Sequence, residues 1–98
     1  MFFILLSYKK PLPEIDRFVA EHREFLSRYY ASGHFLLSGR KEPRDGGVIL
    51  AKADSRAEIE QILRNDPFHR EQIADYDIVE FVPVMSSPEF DSLRVSPG

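Results

Sequence analysis

The chain has 98 residues, 16 acidic against 13 basic for a net charge of −3, and no cysteine. That length supports one domain with a modest core, which gains from association with a partner. Disulfides, thiolate chemistry and Cys-ligated zinc are excluded, and the acidic balance argues against the clustered basic face of a nucleic-acid binder.

Phe2 to Tyr8 is a continuous apolar and aromatic run. It predicts a first strand, buried on both faces. It has neither the basic start nor the small-residue cleavage site of a signal peptide. No stretch approaches the roughly 20 apolar residues of a membrane span, so no membrane partner is expected. With no cysteine, the cytoplasm is the simplest location. Pro11 and Pro13 break the strand, and Pro13 suits the first turn of a helix. That helix is predicted to run to about Ser32, with Gly33 as a left-handed stop. Its apolar positions, Ile15, Phe18, Val19, Phe25, Leu26, Tyr29 and Tyr30, recur at three and four.

His34 to Arg40 predicts a second strand, centred on Phe35, Leu36 and Leu37. A polar segment from Lys41 to Gly47 then leads to a third, Val48 to Ala53, with the turn of a hairpin near Asp45-Gly46-Gly47. A second helix opens at Asp54–Glu58, where Ser55 and Glu58 have capping-box spacing. Ile59, Ile62 and Leu63 form its stripe, which Asp66 continues, and Pro67 ends it by disfavouring the α conformation at Asp66. A short helical turn spans Pro67 to Ala74, and the last strand Ile78 to Val84. Residues 86–98 lack an apolar pattern and read as a tail after a domain over 1–85, either a loose extension or a strap over a partner subunit.

The order β-α-β-β-α-β is the ferredoxin-like arrangement, an α+β fold with a four-stranded antiparallel sheet and both helices on one face. All four strands carry apolar residues at adjacent positions, so both sheet faces are apolar. Two helices cover one face only. A second copy packed through the open face would cover the other, which predicts a homodimer, a dimeric α+β barrel.

Two residues stand out as candidates for chemistry. His22 lies on the apolar stripe of the first helix, seven residues after Ile15 and four before Leu26. An imidazole there is either a core group bonded to a backbone carbonyl or a proton handler at neutral pH. Asp66 points inward on the second helix's stripe, or caps the turn beginning at Pro67. Helices side by side on one sheet face let inward residues share a cleft, and a His with an Asp is the minimum for general acid–base work. Ser38 and Gly39 can offer a hydroxyl and an open backbone to a ligand. His34 and His69 read as solvated. Three scattered histidines give no metal-ligand spacing, and no nicotinamide or flavin motif is present, so neither metal nor cofactor is expected.

In order and spacing, several segments together resemble the YciI-like (YCII-related) proteins, over nearly the whole chain up to about Val84. The segments are His22–Leu26, Gly33–Gly39, Pro43–Ala51, Asp66-Pro67-Phe68 and Tyr76–Phe81. The resemblance implies a dimeric α+β barrel and an active site on a His–Asp pair, which maps to His22 and Asp66. It also implies that the segment after the second strand lines the cleft. Some relatives act as dehydrochlorinases on chlorinated aromatic compounds. The family's common Gly-Pro after that strand is Gly39-Arg40 here. With the resemblance counted, the leading expectation is a small cofactor-independent enzyme of the lyase, isomerase or hydrolase kind, in which Arg40 binds an anionic or phenolic substrate group. The alternatives are a non-catalytic ligand-binding or sensor dimer and a structural dimerisation module.

Overall fold

The computed structural model of the protein describes residues 1–95. Strand β1 (Phe2–Tyr8) pairs antiparallel with both β3 (Gly46–Ala51) and β4 (Ala74–Glu80), while β2 (Phe35–Arg40) pairs antiparallel with β3. The sheet order β2-β3-β1-β4 is the ferredoxin-like one. The helices are α1 (Leu12–Asp16), α2 (Val19–Ala31), α3 (Arg56–Leu63) and α4 (Pro67–Arg70). No helix among the described residues is long and apolar enough to cross a membrane.

One sheet face meets the helices. Phe2, Ile4 and Leu6 of β1 are buried there with Ile49, Phe35, Ile15, Phe25, Ile59 and Phe68. Burying each such side chain contributes about 1.5–3 kcal/mol of transfer free energy. The alternate residues of β1 face away, and Phe3 is 40% exposed. Within one chain β1 is therefore buried on a single face, not on both as its apolar run suggests. On the open face, Leu37 pairs with Leu50, Leu50 with Phe3 and Phe3 with Val79, so an apolar row crosses all four strands. Phe81 stacks on Phe3 with ring centroids 5.2 Å apart.

Several elements depart from their expected bounds. The first helix is two pieces, because Phe18 leaves helical geometry (φ −113°, ψ 5°) and its N–H bonds Ile15 O, three residues back. Both pieces keep the apolar stripe turned to the sheet. Strand β3 begins at Gly46, so both glycines belong to the ladder and the connection is Lys41–Asp45. A Cβ at Gly46 would lie 1.8 Å from the Leu6 carbonyl oxygen, an approach open to glycine alone. Strand β4 starts at Ala74 and ends at Glu80, four residues ahead of expectation at each end. Its partner β1 sets these limits: Ala74 faces Tyr8 and Glu80 faces Phe2. Asp75-Tyr76-Asp77 is thus strand, not approach.

The second helix ends at Leu63, and Asp66 lies outside it as the N-cap of α4. Ser55 Oγ accepts from Glu58 N–H, while the Glu58 carboxylate accepts from Asp54 N–H, one residue before the position a capping box uses. The turn after Asp66 is shorter than expected, ending at Arg70, and Gln72 (φ 55°) redirects the chain into β4. Beyond the sheet, Pro88–Leu93 forms a 3-10 helix within the segment read as a tail, and residues 96–98 lie outside the described ones.

Candidate functional site

His22 and Asp66, 44 positions apart, meet where α2 passes α4. His22 Nδ1 is 2.8 Å from Asp66 Oδ1. The carboxylate is fully buried and takes two further donors: Phe68 N–H at 3.0 Å on Oδ1, and the Tyr76 hydroxyl at 2.6 Å on Oδ2. Asp66 is therefore a helix cap and a side-chain partner at once. A backbone N–H can only donate. Burial, reinforced by the charge of Asp66, pushes the Tyr76 phenol far above its ordinary value, so it too stays a donor. With the carboxylate as acceptor, Nδ1 carries the proton in the neutral ring and Nε2 is the basic nitrogen. Among the described residues no buried side-chain polar atom lacks a partner.

Two more contacts join α2 to α4 here. The His22 ring lies on Phe68, centroids 4.1 Å apart and planes within 6°. Arg70 on α4 forks onto both oxygens of Glu21, the residue before His22. That pair is exposed and screened by solvent, so it adds little stability, but it crosses the same α2–α4 seam.

A cavity of about 620 Å³ opens beside this group. His22 lines it, its side chain 15% exposed. The floor comes from the sheet, where Arg40 faces Gly47 and Gly47 faces Leu6 in one row across three strands; the row runs on to Tyr76, outside the cavity. Gly47 carries no side chain to fill the space above it. A bulge between Phe35 and Leu37 decides what β2 contributes. It adds one residue to the strand and so brings Ser38 and Arg40 to the helix face that Phe35 already occupies.

Ser38, Gly39 and Arg40 all line the cavity. The Ser38 hydroxyl is engaged by the Tyr30 hydroxyl at 2.5 Å. Arg40 has no ion-pair or hydrogen-bond partner for its side chain among the described residues. His34 bonds Ser32 Oγ at 2.7 Å, outside this cavity. No three of His, Cys, Asp and Glu converge in a metal-binding group among the described residues. Tyr76, Arg23, Arg44 and Asp16 belong to the site or its rim and were not picked out by sequence reasoning. Tyr76 carried one signal: in strand register it alternates with Ala74 and Ile78, on the helix face.

The sequence profile of the YCII-related domain matches residues 1–82. No curated protein matches the chain by sequence. Among solved structures, the chain resembles 5-chloro-2-hydroxyhydroquinone dehydrochlorinase (TftG) from Burkholderia phenoliruptrix AC1100, in complex with 2,5-dihydroxybenzoquinone. The TM-score is 0.70 at 18% identity, covering 85% of this chain and 95% of that one. At that identity the likeness speaks for the fold.

Proposed function

The chain belongs to the YCII-related domain family, and from that premise we propose that it is a small acid–base enzyme acting on a phenolic or otherwise anionic metabolite. His22 is its proton-transfer residue and Asp66 orients it. The observation that carries this reading is the bond from Nδ1 of His22 to the buried Asp66, with the imidazole lining an open cavity. Asp66 holds one tautomer, Nε2 is left to the substrate, and a base so oriented can take a proton from a bound carbon or oxygen acid and return it elsewhere. Elimination and tautomerisation both follow from that step, and the likeness to a dehydrochlorinase with a phenolic ligand supports this range. A sealed histidine would have favoured a purely structural module. Arg40, on the cavity wall, is assigned to the substrate's negative group, and Ser38 and Gly39 to the wall beside it.

The working unit in this reading is a homodimer joined through the open sheet face. Support comes from the Leu37–Leu50–Phe3–Val79 row, whose members Leu37, Phe3 and Val79 are 55%, 40% and 45% exposed.

The test is a screen of small phenols and carboxylated metabolites against the wild type and His22→Ala. Turnover that falls by about 100-fold or more in the variant is the expected result for loss of a general base. Equal turnover by the two proteins would remove His22 from the chemistry.

A further inference from the structure

The cavity's charges say more about its ligand than the acid–base pair does. Three arginines line it, Arg23, Arg40 and Arg44, against one aspartate on the rim, Asp16. Among the lining carboxylates and guanidinium groups that is a surplus of two positive charges, in a chain whose net charge is −3. Asp16 is already committed: Arg44 Nη2 bonds its Oδ1 at 2.5 Å. Asp66 is fully buried and spoken for by its three donors. Neither Arg23 nor Arg40 has a carboxylate within ion-pair reach among the described residues, nor any hydrogen bond from its guanidinium. The two sit on different walls. Arg23 follows His22 on α2, and Arg40 ends β2 on the sheet side, placed there by the bulge.

We propose that the cavity takes a small organic dianion, one anionic group held by Arg23 on the helix wall and the other by Arg40 on the sheet wall. The reacting part of the molecule then lies between them, beside His22. The inference rests on reading the cavity as the substrate site, and it names the substrate's charge and the residue, Arg23, that recognises its second group. A guanidinium fork suits carboxylate or ionised ring oxygens, which it binds through two parallel N–H···O bonds. Two guanidinium groups on different walls suit two separated charges better than one compact anion. Arg44, paired with Asp16, keeps the rim neutral at that point, so the cavity's uncompensated positive charge is that of Arg23 and Arg40.

The experiment titrates the full-length protein with phthalate, isophthalate, terephthalate, benzoate, benzamide and inorganic phosphate, followed by calorimetry and by the His22 side-chain resonances. At least one benzene dicarboxylate is expected to bind about ten-fold tighter than benzoate, with benzamide and phosphate weaker still, and to move the His22 signals. Arg23→Gln and Arg40→Gln, both exposed positions, are each expected to bring that diacid down to the benzoate level, a loss of about ten-fold. Diacids no tighter than benzoate, phosphate as tight as the best diacid, or a diacid affinity unchanged in either glutamine variant would each overturn the proposal. His22→Ala separates it from the enzymatic reading. Diacid binding within about three-fold of wild type in that variant supports the two-arginine subsite whether or not turnover is found. His22-dependent turnover of neutral compounds alone would sink the subsite and leave the enzyme.

Discussion

His22 lies flat on Phe68, ring centroids 4.1 Å apart and planes within 6°, while its Nδ1 reaches Asp66 two residues earlier in the chain. The stack fixes the plane of the imidazole and the hydrogen bond fixes its rotation within that plane. One short stretch, Asp66-Pro67-Phe68, therefore sets both. Pro67 at the first position of α4 holds the two side chains at the start of the same turn.

Removing the stack without opening a large void is expected to loosen the base. Phe68 is 1% exposed. Phe68→Leu is expected to cost about 1–2 kcal/mol, less than the full truncation of a buried aromatic. Urea denaturation reads the stability, and broadened His22 ring resonances in the folded variant read the loosening. Sharp, unshifted resonances would show that the hydrogen bond alone suffices.

Asp66 serves three donors, so its truncation is expected to exceed the loss of a simple cap. Asp66→Ala removes the cap of α4 and strands the Tyr76 hydroxyl and the Phe68 N–H, for about 2–4 kcal/mol together. Nitrogen-15 spectra of His22 are expected to lose their preference for the Nδ1–H form in the same variant. Asp66→Asn, whose amide oxygen can still accept from Phe68 N–H, is expected to lose less stability. A persistent Nδ1–H preference in Asp66→Ala would mean that Asp66 does not select the tautomer.

Tyr76 gives the site a pH signature. Its phenol titrates well above the ordinary value when folded, through burial first and the Asp66 charge second. In the unfolded chain it ionises near about pH 10. Its contribution to stability is present in full below that pH and is lost as pH rises beyond it, because the unfolded state alone gives up the proton. Tyr76→Phe is expected to cost about 1–3 kcal/mol at neutral pH, leaving Oδ2 of Asp66 without its partner. The gap between variant and wild type is expected to shrink above about pH 10 in denaturation series. A gap that stays constant to the highest pH at which the protein folds would contradict the bond as described.

The open sheet face makes a prediction about assembly. Phe3 sits in the middle of the apolar row, paired with Leu50 on one side and Val79 on the other. Phe3→Glu is expected to leave the fold intact, since the position is 40% exposed in the single chain, and to turn a dimer into a monomer. Sedimentation at micromolar concentration compares the two. A wild type that sediments as a compact monomer would remove the reason for the dimer.

The local rules of the chain were legible wherever a single element carried its own signal. Ile15, Val19, Phe25 and Leu26 recur at helical spacing around His22, and the structure turns that stripe to the sheet. Gly33 adopts φ 85° at the end of α2, and Ser55 caps α3, as their residue types require. The β-α-β-β-α-β order, with its antiparallel α+β sheet, followed from those pieces.

What lay beyond reach of the sequence depends on which strand sits beside which. Asp75-Tyr76-Asp77 looks like a polar approach to a strand, because its polarity is visible and its partner is not. Once β4 lies on the sheet edge beside β1, Asp75 and Asp77 face outward and Tyr76, opposite Leu6, faces in toward Asp66. Arg40 likewise belongs to the cavity only because a bulge before Leu37 shifts β2 by one residue against β3. Side chains alternate with a period of two, so one inserted residue moves every later one to the opposite face. Periodicity along the chain told which residues are apolar together. Pairing between strands, a matter of hydrogen bonds to residues far away in sequence, decided which polar groups turn inward with them.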